Sequence, residues 1–99
     1  MIEIHEAFAG QVLSNFTAMQ SDDFGKKQLG LAGRLGDIDM GKVNTRGGSL
    51  SLGHPFGATG VRLNTTACSR LHAGEGKYAL VTACADAGLG HASVLERYE

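Results

Sequence analysis

The sequence predicts an α/β fold. Three observations lead there: an apolar stripe at helical spacing near the N-terminus, a run of small and β-branched residues at 77–84 suited to a buried strand, and a glycine-rich reversal that returns this run to a further strand-like segment. Ninety-nine residues suffice for one small domain, 1–99, or a piece of one.

Taken in order, "MIEI" reads as the end of a strand that feeds straight into a helix. In "EAFAGQVLSNFTAMQ" (6–20), Phe8, Val12, Phe16 and Met19 follow one another at spacings of four, four and three, the stripe of an amphipathic helix packed on a sheet. Residues 21–43 are connecting structure. Ser21 and Asp22 are cap candidates for a short helix near "DFGKKQLG", and Gly30, Gly33, Gly36 and Gly41 follow too closely for long elements. A short strand is expected before the second helix, which spans Thr59 to Ala73 with Val61, Thr65, Cys68 and Leu71 on its buried face and Gly74 and Gly76 ending it. "KYALVTAC" (77–84) and "HASVLERY" (91–98) are the last two strands, joined by "ADAGLG".

Bulk properties exclude several functions. Nine basic against ten acidic residues, with no run of five like charges, give no support to nucleic acid as a partner. No window approaches 18 uninterrupted apolar residues, so no helical membrane span is expected. Cys68 and Cys84 fit neither a paired zinc or redox motif nor a dense disulfide framework, and they read as free thiols. "IEIHEAFAG" follows Met1 without a basic stretch or apolar leader, so the chain is expected to begin inside a fold.

Three polar sites stand at element boundaries: "HEAFA", "GHPFGATG" and "CADAGLGH". His54, held between Gly53 and Pro55, has little freedom and is pre-aimed as an oxyanion donor or base must be, while Gly57 and Gly60 let backbone approach a ligand. The alternative is a loop histidine satisfied by its own backbone. A phosphate cradle is rejected, because "GHPFGATG" lacks the Gly-Lys-Ser/Thr ending and does not fit GxGxxG. Cys84 falls where a strand gives way to a glycine-containing turn, a setting in which a thiol can be exposed and tuned, although a small buried strand residue is the plainer reading. Cys68, at mid-helix, reads as core. His5–Glu6 would begin a zincin motif only with a histidine four residues after His5, and that position is Ala9, so no metal is assigned. His72 and His91 read as surface or turn residues.

Together, "HEAFA", then "NTRGGSLSLGHPFGATGVR" from Asn44, then "CADAGLGHA" from Cys84 resemble the C-terminal part of thiolases, and most of all the type found in the β-subunit of fatty-acid β-oxidation multienzyme complexes. The resemblance runs in order over essentially the whole chain. It implies a thiolase-like fold, a mixed sheet with packed helices that amounts to part of one of the family's two similar domains. It implies a 3-ketoacyl-CoA thiolase, an acyltransferase that cleaves a 3-ketoacyl-CoA with CoA as substrate and needs no cofactor. His54 would then activate a nucleophilic cysteine and donate to the thioester oxygen. Cys84 would be the acid/base that protonates the acetyl-CoA enolate and later deprotonates CoA. His5, where most thiolases carry Asn, would help hold an oxyanion-hole water. The backbone N–H of Asp86 would belong to a second oxyanion hole, and Gly53, Pro55 and Phe56 would border the substrate.

The family pattern after the cysteine is C-x-G-G-G-x-G, or C-A-A-G-G-x-G in the nearest type, where this chain has Asp86 and Ala87. A carboxylate beside a developing oxyanion is unfavourable unless it points away. The family's nucleophilic cysteine and most of its CoA-binding surface lie in the other half of the polypeptide, so the 99 residues alone are expected to be inactive. The implied partners are that N-terminal half, acyl-CoA and CoA, and further copies or a β-oxidation α-subunit. The implied compartment is cytoplasmic in a bacterium and mitochondrial in a eukaryote. Two rivals remain: a non-catalytic thiolase-like module, lipid-binding or structural, and a ketoacyl synthase, whose usual histidine contexts "GHPFGATG" does not match.

Overall fold

The structure, a computed structural model, describes residues 1–98. The chain divides into two compact units, Met1–Ala7 together with the chain from Gly41 onward, and Phe8–Met40.

The first unit is built on a mixed three-stranded sheet in the order β1-β2-β3, with β1 at Ile2–Ile4, β2 at Tyr78–Ala85 and β3 at Leu89–Glu96. β1 runs parallel to β2 with Glu3 opposite Val81, and β3 returns antiparallel with Cys84 opposite Gly90. The reversal needs only Asp86–Gly88, where Ala87 and Gly88 both take left-handed backbone (φ 59° and 76°).

In the second unit, α1 (Ala9–Met19) packs against α2 (Asp22–Leu29). α1 starts three residues later than the apolar stripe predicts. His5 N–H still donates to the Thr82 carbonyl as a continuation of the sheet, and the Glu6 carboxylate is held elsewhere, so the chain is free to turn helical only after Phe8. Phe8 is an exposed N-cap residue, not part of the buried stripe. α2 forms as its cap signals predict. The Ser21 hydroxyl accepts from Phe24 N–H, Asp22 and Asp23 meet the positive end of the dipole, Lys26 and Lys27 meet the negative end, and Gly30 closes the helix in the left-handed region.

A 3₁₀ turn at Met40–Lys42 leads back to Val43 of the first unit, which makes a single parallel bridge to Ile2. The short strand expected here is absent among the described residues, and Ser49–Leu52 instead form a one-turn helix, α3. α4 (Phe56–His72) follows and packs on β1 and β2. It begins one turn earlier than predicted, because Pro55 holds the helical entry as its N-cap and the Pro55 carbonyl accepts from Ala58 N–H. "FGA" is thus helix, not loop.

The largest correction concerns the face of α4. Thr59, Leu63, Ala67, Arg70 and Leu71 are buried, whereas Val61 is 70% exposed and Cys68 is exposed too. At 100° per residue, the predicted stripe lies roughly a third of a turn round the helix from the observed one. Hydropathy alone misplaces it, since Thr59 and Arg70 read as outward residues. Arg70 turns inward because Glu3 waits on β1: their side chains are 2% and 0% exposed and pair at 2.6 Å, with Arg70 Nε also bonded to Glu75 at 2.7 Å. Burial opposes the Arg70 charge, but Glu75 and Glu3 outweigh it and raise the guanidinium pKa above its ordinary value. Around this pair Leu63, Ala67 and Leu71 pack on Ala79 and Val81 to make the core.

Candidate functional site

The site lies where β1 and β2 end and α4 begins. A glycine, a histidine and a proline separate the two helices that frame it. Gly53 closes α3 with φ 98°, a conformation that side chains rarely adopt, and its N–H donates to the Ser49 carbonyl. Pro55 then opens α4. His54 is the one residue between these fixed points, so its ring has few directions open to it. Its Nδ1 is 2.6 Å from the hydroxyl of Thr59, which is buried in the first turns of α4. Phe56 stands beside it, ring centroids 5.0 Å apart.

His5 reaches the same place from the end of β1. It is only 5% exposed, and its Nδ1 is 2.8 Å from Ser49 Oγ, which also accepts from Arg62 Nη2 at 3.1 Å. The two imidazoles approach to 4.1 Å between centroids. Burial first, then the neighbouring His54 ring and the Arg62 charge, lower the His5 pKa below 6.5, against a smaller opposing effect of Glu6.

Cys84 arrives on β2. Strand alternation turns Ala79, Val81 and Ala83 to the α4 face, and at the strand end Ala83, Cys84 and Ala85 all border the cleft. Cys84 is half-buried and a free thiol, and its partner across the ladder, Gly90, has no side chain to cover it. Together His5, His54, Phe56, Thr59, Cys84 and Asp86 border one cleft of about 410 Å³, closed further by Gly60, Ala83 and Ala85. Gly53 and Pro55 do not line it; they shape the segment that aims His54. Asp86 is exposed at the rim, and its Oδ1 accepts from Ala87 N–H at 2.9 Å, which commits one carboxylate oxygen to the hairpin loop. Gly57 and Gly60 carry open space where a side chain would stand. His72 and Cys68 lie further along α4 and are exposed. Among the described residues no group of three metal-ligating side chains occurs.

The scaffold beneath this cleft is not legible in the sequence. The Glu6 carboxylate accepts from Asn44 Nδ2 at 2.9 Å and from Leu50 N–H at 3.0 Å, so it joins the end of β1 to the start of α3. The Asn44 amide in turn pairs with both backbone groups of Ile4. Ser49, Arg62 and Thr59 belong to the same support. Contacts that reach from the end of β1 across 38 to 44 positions carry no local periodicity; their one signal is their presence inside the quoted motifs.

Comparison with known proteins gives a consistent result. Residues 1–97 match the family model described as "Thiolase, C-terminal domain". The chain is 54% identical over 98 residues to a probable 3-ketoacyl-CoA thiolase of Caenorhabditis elegans and 54% identical over 96 residues to the mitochondrial trifunctional enzyme subunit beta of Mus musculus. These alignments cover 99% and 97% of this chain but only 22% and 20% of those proteins. The crystal structure of human mitochondrial 3-ketoacyl-CoA thiolase superposes with a TM-score of 0.72 at 30% identity, over 99% of this chain and 20% of that one.

Proposed function

The chain belongs to the thiolase family as its C-terminal domain, and from that premise we propose that it supplies the acid/base side of a 3-ketoacyl-CoA thiolase active site. The convergence of His54, Cys84 and His5 on one cleft carries this reading. The nucleophilic thiolate would come from a part of the protein outside these 99 residues. That thiolate attacks the keto carbon, the bond between C2 and C3 breaks, and its electron pair passes to C2 as the enolate of acetyl-CoA. The Cys84 thiol gives its proton to C2. The Cys84 thiolate then takes the proton of CoA, whose sulfur attacks the acyl thioester and releases the first cysteine.

His54, with Nδ1 taken by Thr59, has Nε2 for the nucleophile and the thioester oxygen. His5 holds the oxyanion-hole water, and Phe56, 85% exposed, offers its ring to the substrate. The Asp86 N–H is the second-hole donor. Its carboxylate is the feature that favours the non-catalytic alternative, and the tie to Ala87 N–H is what draws part of that charge aside. The partners are acyl-CoA, CoA, the rest of the thiolase chain and, as the relative's name suggests, a multienzyme assembly in a mitochondrion or its bacterial counterpart. The test is Cys84→Ala in the full-length protein, with acetyl-CoA release as readout. Loss of turnover by about 10²-fold or more is expected of a removed acid/base. An unchanged rate, or a full-length protein without thiolase activity, would overturn the reading.

A further inference from the structure

His5 raises a question that its place in the cleft leaves open: which ring nitrogen carries its proton. The answer decides its chemistry, since a protonated Nε2 is a donor toward the cleft and a bare Nε2 is a base. Nδ1 is taken by Ser49 Oγ, and the structure shows no hydrogen bond from Nε2 to another described residue.

The hydroxyl of Ser49 settles the direction. Ser49 is 6% exposed, and its oxygen meets two groups, His5 Nδ1 at 2.8 Å and Arg62 Nη2 at 3.1 Å. A guanidinium has no lone pair to offer, so Arg62 can only donate. The single Ser49 proton then has one acceptor within reach, His5 Nδ1. If His5 instead donated from Nδ1, two donors would face the Ser49 oxygen and its own buried hydroxyl proton would be stranded, a costly arrangement.

We infer that Ser49 and Arg62 are positioning residues for His5: Arg62 orients the Ser49 hydroxyl, the hydroxyl donates to His5 Nδ1, and the His5 proton is thereby kept on Nε2, pointing into the cleft as a hydrogen-bond donor. Ser49 Oγ is the one side-chain hydrogen-bond partner of Arg62 among the described residues, whereas its Nε and Nη1 are buried without one. The inference deepens the proposed function, in which His5 presents a donor to an oxyanion-hole water.

The experiment is a long-range ¹H–¹⁵N spectrum of the chain labelled at histidine, above the His5 pKa, with His5 assigned through His5→Asn. A single Nε2–H form with an unprotonated, hydrogen-bonded Nδ1 is expected. Ser49→Ala and Arg62→Gln should each raise the Nδ1–H share roughly fivefold to tenfold, the ratio that a hydrogen bond of ordinary net strength maintains, while Ser49→Thr, which keeps the hydroxyl, should hold the Nε2–H form. Amide dispersion reports on folding in the same samples, and two independent removals guard against a failure of either. An Nδ1–H form in the unmodified chain, or a ratio unmoved by both removals, would overturn the inference. No CoA ester takes part, so absence of thiolase activity in the full-length protein sinks the functional reading alone.

Discussion

His5 and His54, from the end of β1 and the loop before α4, stack with ring centroids 4.1 Å apart and planes tilted by 37°. Two imidazoles this close penalise a shared positive charge, and Arg62 adds to the penalty. Burial acts in the same direction and is the largest cause, so the His5 pKa lies below the unfolded value of 6.5. The unfolded chain therefore takes up a proton at His5 before the folded one does. Stability is fully present above pH 6.5, falls as the pH drops below it, and levels off below the folded pKa. Denaturant unfolding between pH 8 and pH 5 should show this loss, and His5→Asn should remove that part of it. An equal acid dependence in both proteins would show that His5 does not carry it.

Gly48 and Glu6 are matched in the same way as a lock and its bolt. A Cβ at Gly48 would fall on the Glu6 carboxylate, which is already fixed by Asn44 and Leu50. Gly48→Ala should cost about 1–3 kcal/mol, the range for overpacking. In a Glu6→Ala background the same change should cost much less. The checking measurement is a double-mutant cycle by urea unfolding, and strictly additive costs would mean that the two residues do not share the space.

Glu3 and Arg70 are a buried ion pair that joins β1 to α4. Glu3→Gln leaves a buried guanidinium short of one carboxylate and should destabilise by about 3–5 kcal/mol. Glu75, which bridges Arg70 and Arg46, is the remaining carboxylate. It has its pKa lowered chiefly by the hydrogen bond from Arg70 and then by that from Arg46, so its contribution is present above the unfolded carboxylate range and disappears as the pH falls through the lowered value. A Glu3→Gln protein as stable as the parent, by the same unfolding assay, would remove the pair from the account of the fold.

The pair also shows where sequence reading stopped. A strand at β1, the helix behind Ser21 and the β2–β3 reversal are legible because caps, glycines and alternation are local signals, whereas the parallel pairing of β1 with β2 is not. Nor is the orientation of α4, because an arginine enters a core only for a partner 67 positions away. Cys68, core by its mid-helix position, is exposed for the same reason. At the cleft, the motifs named His5, His54 and Cys84 and the fold brings all three to one rim. Ser49 and Arg62, written in the same motifs, have no property in one dimension that points to His5.

Ala87 occupies a left-handed position, φ 59°, where the resemblance calls for glycine. An L-residue there costs roughly 1–2 kcal/mol, so Ala87→Gly should stabilise the chain by about 1 kcal/mol. Asp86 accepts from the amide of that same residue. In the full-length protein Asp86→Ala frees the amide and removes the carboxylate from the cleft rim; a rate that rises or holds is expected. A fall of tenfold or more would give Asp86 a positive part in the reaction.

The 99 residues by themselves should show no thiolase turnover. Covalent catalysis needs a nucleophile and an acid/base in one constellation, held within about 0.5 Å of productive geometry. Cys84 lines the cleft with the two histidines, and the other thiol of the chain is Cys68. Its exposure removes burial as the reason for its silence, and distance replaces it. Cys68 sits nine positions beyond Thr59 on α4, about 13 Å along the axis at 1.5 Å per residue, and on a face other than the one that carries Thr59. A thiol-selective reagent should modify exposed Cys68 faster than half-buried Cys84. Incubation with a 3-ketoacyl-CoA and CoA should release no acetyl-CoA, and intact mass should show no acyl adduct. Turnover, or stoichiometric acylation of either cysteine, would mean that these residues already hold a complete site and that no second thiol from elsewhere in the protein is needed.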